Sequence, residues 1–222
     1  MPRLDALLRC NLCDDPAIVL EAKPGRLLLC IIALGLIYGL AMGTYGGWNG
    51  DYRPLQMLYS GLKVPLLLLA SFALSLPSLW VINALLGLAA DFSQVLRALL
   101  AAQAALTLVL LSLAPFTLFW YASVSDYQLA ILFNAGMFTI ASFTAQILLR
   151  RYYRPLIARQ PRHRWLLRLW LIIFAFVGIQ MGWVLRPFLG NPGLPVQFFR
   201  ANSWGNAYEV VAKMAWQAVA GR

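Results

Sequence analysis

Eight carboxylates, one histidine and three cysteines are the chemically reactive groups with which this 222-residue chain could transfer protons or hold a metal. The carboxylates are Asp5, Asp14, Asp15, Glu21, Asp51, Asp91, Asp126 and Glu209, and all of them fall outside the long apolar stretches. Ionisable groups inside a bilayer mark ion pathways and proton relays. Their absence from the apolar stretches argues against proton- or cation-coupled transport and leaves no carboxylate pair there for general acid–base work. His163 stands alone among arginines and reads as a solvated loop residue. A single histidine cannot supply a two-histidine haem or a histidine-based metal site. Cys10-Asn11-Leu12-Cys13 has the C-x-x-C spacing, but a zinc or redox site needs a second pair or a surrounding βαβ fold. It reads as two free thiols, with Cys30 in the first apolar stretch and no disulfide framework. No G-x-S-x-G elbow or phosphate loop occurs. No catalytic residue, metal or cofactor is therefore expected.

Two further sets of polar residues could act. Asn83, Gln103, Asn134, Gln146 and Gln180 lie inside apolar stretches. Each can tie helices together with a hydrogen bond worth about 0.6–2 kcal/mol, and Asn83, Gln103 and Asn134 are the candidates for lining a small cavity. The second set is Arg150, Arg151, Arg154, Arg159, Arg162 and Arg164, in a run without an acid. It reads as a topology determinant, and as a contact for anionic lipids or an acidic partner, since each cation near an anionic surface contributes about 1 kcal/mol.

The elements that position these residues follow from composition. The chain is 61% hydrophobic and 12% charged, against about 25% charged residues in a soluble domain. It is predicted to be an all-α integral membrane protein. A crossing helix needs about 20 apolar residues, and five stretches qualify: 27–46, 64–86, 96–121, 129–149 and 165–185. Pro77 and Pro115 interrupt the second and third, and SLPSLW could split the second into half-helices. A short echo between residues 74–80 and 111–120 reads as chance or simple kinking. Residues 1–26 do not read as a signal peptide and form a cytoplasmic segment, with Leu4, Leu7, Leu8 and Leu12 suited to a short helix. Residues 27–189 form the membrane domain and 190–222 an extracytoplasmic tail. In that tail, Asn206 and Glu209 open an amphipathic interfacial helix with Ala207, Val210, Val211, Met214 and Ala218 on one face.

The net charge of +10 does not indicate nucleic acid. With the arginine run inside, alternation through five spans places twelve of the basic residues inside and six outside, as the positive-inside rule requires. The predicted topology has the N-terminus in and the C-terminus out. A preference for Arg over Lys fits a bacterial inner membrane.

Four glycines recur at spacing four in the first span: Gly35, Gly39, Gly43 and Gly47. In a soluble helix each costs about 1 kcal/mol relative to Ala. In a bilayer they form a groove that admits a second backbone. Gly178 and Gly182 in the fifth span and Ala98, Ala101, Ala102 and Ala105 in the third offer mates within the chain, so intrachain packing is preferred to an intermolecular contact.

The stretch Ser60-Gly61-Leu62-Lys63-Val64-Pro65-Leu66-Leu67-Leu68-Leu69 resembles the G-P-L signature that enters a span in the Yip family of five-span membrane proteins. The family's acidic-aromatic residues before the Gly are missing, and Leu62-Lys63-Val64 intervene before the Pro. The resemblance covers residues 53–185. It implies a five-span fold, a cytosolic N-terminus, a far-side C-terminus and a non-enzymatic membrane-organising role, and it carries no catalytic residue across. Residues and resemblance together lead to an accessory subunit or membrane organiser that acts through helix packing, in contact with the bilayer, its anionic lipids and other membrane subunits. The alternative is a small channel, or a transporter of a neutral or anionic solute or lipid, with a cavity reaching Asn83, Gln103 or Asn134. An enzyme ranks third, unless Arg186, Arg200 and Glu209 meet in one cleft.

Overall fold

In hydrocarbon every backbone N–H and C=O must be satisfied within the chain, so each apolar stretch has to be helical. The structure, a computed structural model, describes residues 23–48, 50, 53–190, 194–200 and 208–209. Among them the regular structure is helical, without strands. The five main helices are α1 (Pro24–Gly43), α2 (Pro54–Leu85), α3 (Phe92–Ser123), α4 (Tyr127–Arg159) and α5 (His163–Val184). All five are long and apolar enough to cross a membrane, which points to an integral membrane protein. The short helix expected near Leu4–Leu12, the Cys10–Cys13 pair and the tail helix beyond Glu209 lie outside the described residues.

The helix ends follow local chemistry. Asp126 caps α4 through Oδ1, which accepts from the amides of Gln128 at 2.7 Å and Leu129 at 3.0 Å. Gly87 adopts φ +71° after α2. The amides of Gly87 and Leu88 there donate back to the Ala84 and Asn83 carbonyls at 3.0 and 2.9 Å, the pattern of a glycine-terminated helix.

Three expectations about the spans change. First, α2 and α3 are each continuous over 32 residues, through Pro65, Pro77 and Pro115. A proline removes one hydrogen bond, whereas splitting a span would leave several backbone groups unpaired in hydrocarbon. Second, α2 begins at Pro54 rather than near Val64. Third, most of the arginine loop is not a loop: α4 stays helical through Arg159, and the connection to α5 is only Gln160–Arg162.

Packing order differs from chain order. α1 is central, with α2 on one side and α3 on the other; α5 packs against α2 and α4 against α3. α4 and α5, consecutive in the chain, touch little. The tightest approach is between α1 and α2. Alanine Cβ atoms built at Gly39 and Gly43 would lie 2.8 Å from Gly61 Cα and 2.6 Å from Met57 Cα, and one at Gly35 would lie 3.4 Å from Pro65 N. The Pro65 ring is thus accommodated where α1 carries no side chain. The glycine ladder therefore finds its mate in α2, and Gly47 is exposed. Gly178 and Gly182 do not act as packing glycines among the described residues: a Cβ at either meets nothing within 4 Å. Of the small residues on α3, Ala98, Ala101 and Ala102 are buried.

Candidate functional site

The site arises from the way α5 leaves the bundle. Its buried residues, His163, Leu166, Leu167 and Trp170, all lie in its first half. Trp170 fixes that half by edge contact with Phe72 of α2. Beyond it α5 separates from α4, and the chain bends back over the bundle as Leu185–Gly190, with Leu185 and Leu189 buried.

A polar stripe on α2 holds this returning segment. Gln56, Ser60 and Lys63 are spaced to share one helix face, and all three are buried. Lys63 Nζ donates to the Pro187 carbonyl at 2.6 Å. The Ser60 hydroxyl and Gln56 Nε2 both donate to the Phe188 carbonyl, the latter at 3.2 Å. From α4, the Tyr127 hydroxyl donates to the Leu189 carbonyl at 3.2 Å. Lys63 also stands 4.9 Å from the Phe198 ring centroid, and Arg53 donates to the Leu194 carbonyl at 2.6 Å. Backbone carbonyls with no helical partner thus receive side-chain donors one after another, and the arch is fixed. Hydropathy does not reveal this stripe, because it starts the second span at Val64 and so leaves the periodicity of Gln56, Ser60 and Lys63 without a helix to sit on.

Under the arch, between the separated halves of α4 and α5, lies a cavity of about 840 Å³, within the range of ligand pockets. Ile131, Ala135 and Phe138 line one wall, Ile179, Gly182 and Trp183 the other, and Met42 and Leu67 the floor. Its polar members are Asn134, Tyr127, Arg186 and Arg200, and no carboxylate, histidine, cysteine or serine lines it among the described residues. The Arg186 guanidinium carbon lies 3.3 Å from the Trp183 ring centroid, a stacked cation–π arrangement. Its Nε is buried without a hydrogen-bond partner among the described residues. Burial, and secondarily the neighbouring Arg200, push the Arg186 guanidinium below its ordinary range, although an arginine remains a cation in proteins.

No protein-family model, curated protein or solved structure matches this chain. The site must be read from its own residues.

Of the three amides expected to line a cavity, only Asn134 reaches the large one. Its Nδ2 donates to Tyr121 Oη at 2.6 Å and to the Ala130 carbonyl at 2.7 Å, so it also joins α3 to α4. Gln103 lines a separate cavity of about 40 Å³, with Gln146, where α3, α4 and α5 meet. Asn83 is buried, and neither of its amide atoms is hydrogen-bonded among the described residues. Arg186 and Arg200 do meet in one cleft, whereas Glu209 is not among its lining residues. Tyr208, beside Glu209, donates its hydroxyl to the Phe176 carbonyl and packs its ring 5.3 Å from that of Phe176, so the tail touches α5.

The opposite end carries the arginine run. Arg150, Arg151, Arg154, Arg159, Arg162 and Arg164 are all exposed, and Arg162 donates to the Leu86 carbonyl at 3.2 Å. His163 corrects the expectation of a solvated residue. It is fully buried, with Nε2 3.1 Å from Asp91 Oδ2 and its ring 6.3 Å from that of Tyr153. A carboxylate only accepts, so Nε2 carries the proton. The short Gln160–Arg162 connection turns His163 inward as the first residue of α5. This contact joins the α2–α3 and α4–α5 connections. His163→Leu would leave the partly buried Asp91 without that donor, and a loss of about 1–3 kcal/mol is expected. Thermal unfolding in detergent checks it; an unchanged midpoint would show that the pair is dispensable.

Proposed function

We propose that the protein binds an amphiphilic molecule with an anionic head, holding the apolar body between α4 and α5 and the head beneath the arch. The observation that carries this reading is the cleft itself: an apolar space of about 840 Å³ with Arg186 and Arg200 in its lining. Guanidinium groups at the end of an apolar slot match a lipid-like molecule, because chain and head each find a compatible environment. This is a binding or carrier role rather than a catalytic one, and it belongs with the lipid-transport alternative. The glycine ladder offers little support for an intermolecular accessory role, since Gly35, Gly39 and Gly43 already face α2.

In this reading the arginine end faces the cytoplasm, where the exposed arginines contact anionic lipids, and the cleft opens toward the outer leaflet of a bacterial inner membrane. The twelve-to-six distribution of basic residues supports that orientation.

The test is photolabelling with a phospholipid that carries a diazirine in its acyl chain. Labels are expected on Ile131, Ala135, Phe138 and Ile179, inside the cleft. Gly182→Leu should reduce this labelling about ten-fold by filling the slot, since about 1–3 kcal/mol of overpacking is added where the ligand sits. The same variant should elute unchanged on gel filtration, because a Cβ at Gly182 meets no protein atom within 4 Å. Labels confined to the outer surfaces of the helices would overturn the reading.

A further inference from the structure

The small cavity where α3, α4 and α5 meet has a use of its own, which does not depend on what the large cleft holds. We propose that it binds an ordered water molecule that bridges Gln103 of α3 to Gln146 of α4, with the Ser142 hydroxyl as a third partner.

The cavity sets the size of its ligand. It measures about 40 Å³, and Gln103, Gln146 and Ser142 line it among apolar neighbours. A water needs about 10–15 Å³ of such space, whereas pockets for larger ligands run to about 300 Å³ or more. On both α3 and α4 the lining positions recur at intervals of three and four, so the two faces meet across the cavity. Ala102 and Ala145 allow the two helices to come close. Trp170 and Phe174 of α5 complete the wall.

Chemistry names the ligand. Gln103 is 8% exposed. The Oε1 atoms of Gln103 and Gln146 are both buried, with no hydrogen-bond donor among the described residues. A buried amide oxygen without a donor is costly, and hydrocarbon offers it none. Two acceptors at one small space call for one molecule with two donors. Water donates twice and also accepts, so it serves these amides whichever way either is turned. With the Ser142 hydroxyl the site offers three polar partners, the usual number for a buried water. A divalent cation is not matched, because it takes about six to eight oxygens and no carboxylate lines the cavity among the described residues.

Position gives the bridge a role. Phe138 and Ile179 are the innermost lining residues of the large cleft on α4 and α5. Ser142 lies one helical turn below the first, and Phe174 lies between one and two turns below the second. The water thus ties α4 to α3 just inside the level where α5 leaves α4, and one wall of the cleft is held from behind.

Magic-angle-spinning NMR of the full isotope-labelled chain in deuterated-lipid nanodiscs provides the test. Magnetisation is transferred from water protons to the glutamine side-chain amides, whose signals are identified by their loss in Gln103→Leu and Gln146→Leu. Transfer is expected at both glutamines, and none at the backbone amides of Leu110 and Ala141, which are fully buried outside the cavity. In Gln103→Leu the transfer at Gln146 should be lost, and in Gln146→Leu that at Gln103, because a bridge needs both ends. Gel filtration confirms that each variant folds; where one does not, the wild-type measurement and the other variant still decide. Transfer to neither glutamine, or to only one, would overturn the proposal. Equal transfer to Leu110 and Ala141 would also overturn it, by showing that the bundle is wet throughout. Transfer that persists at the remaining glutamine of a folded single variant would assign the water to one helix and overturn the bridge.

Discussion

Gly39→Ala is expected to destabilise the folded monomer by about 3 kcal/mol or more, from the addition of one methyl group. The new Cβ would overlap the Ser60 carbonyl oxygen and sit 2.8 Å from Gly61 Cα. These are backbone atoms of α2, which cannot rotate aside as a side-chain end can. α1 and α2 would have to separate along their whole contact, and α1 is the helix on which both α2 and α3 pack. The neighbouring glycines grade the effect. Gly43→Ala meets Met57 Cα at 2.6 Å and should also be damaging, whereas Gly35→Ala approaches Pro65 at 3.4 Å and should be mild. Gly178→Ala, with nothing within 4 Å, should be silent. Gel filtration after stepwise heating in mild detergent measures the series. A Gly39→Leu protein that stays monomeric and heat-stable but no longer self-associates would instead place the glycines at an intermolecular contact.

The second large effect is expected at Lys63. Lys63→Met preserves length and removes the ammonium that donates to the Pro187 carbonyl at 2.6 Å. The side chain is fully buried, so water does not replace the lost donor freely, and the orphaned carbonyl costs about 1–3 kcal/mol. That penalty falls locally, because residues Leu185–Gly190 rest on α2 mainly through Lys63, Ser60 and Gln56. The arch should loosen before the bundle does. Hydrogen exchange at residues 185–190 should accelerate about ten-fold or more, and amphiphile labelling of the cleft should fall in parallel, since Arg186 and Phe188 are carried by the arch. Unchanged exchange there, with the bundle intact, would show that Ser60 and Gln56 suffice.

Much of the fold was legible before any coordinates. Composition and the length of the apolar stretches are enough to require five helices, because a bilayer leaves the backbone no alternative. The boundaries were legible only where apolarity ended with the helix. Pro54–Lys63 and Arg150–Arg159 interleave polar or basic residues with apolar ones and yet are helical, and hydropathy cannot mark a helix that extends past the hydrocarbon. At about 1.5 Å per residue, the 33 residues of α4 reach well beyond a hydrocarbon core of about 30 Å.

The candidate site was barely legible. Asn134 stands among the expected lining residues, whereas Arg186 and Arg200 enter the sequence reading only with Glu209, as a trio whose meeting would favour an enzyme, and Glu209 is not in the lining. The meeting of the two arginines depends on the return of the chain over α2, which no spacing in the sequence records. The pairing of His163 with Asp91 was hidden for the same reason: 72 residues separate them, and only the tight Gln160–Arg162 connection turns the ring inward.

By itself, then, the sequence determined the helical class, the number of candidate spans and the glycine groove, since backbone hydrogen bonding and side-chain size are local properties read along one chain. Tertiary structure alone decided that the groove receives α2, that α4 and α5 part company, and that Arg186 and Arg200 come to line one cleft. Those outcomes depend on which helix becomes whose neighbour, and in a bundle held by shape and a few buried hydrogen bonds that choice is made by packing between distant segments.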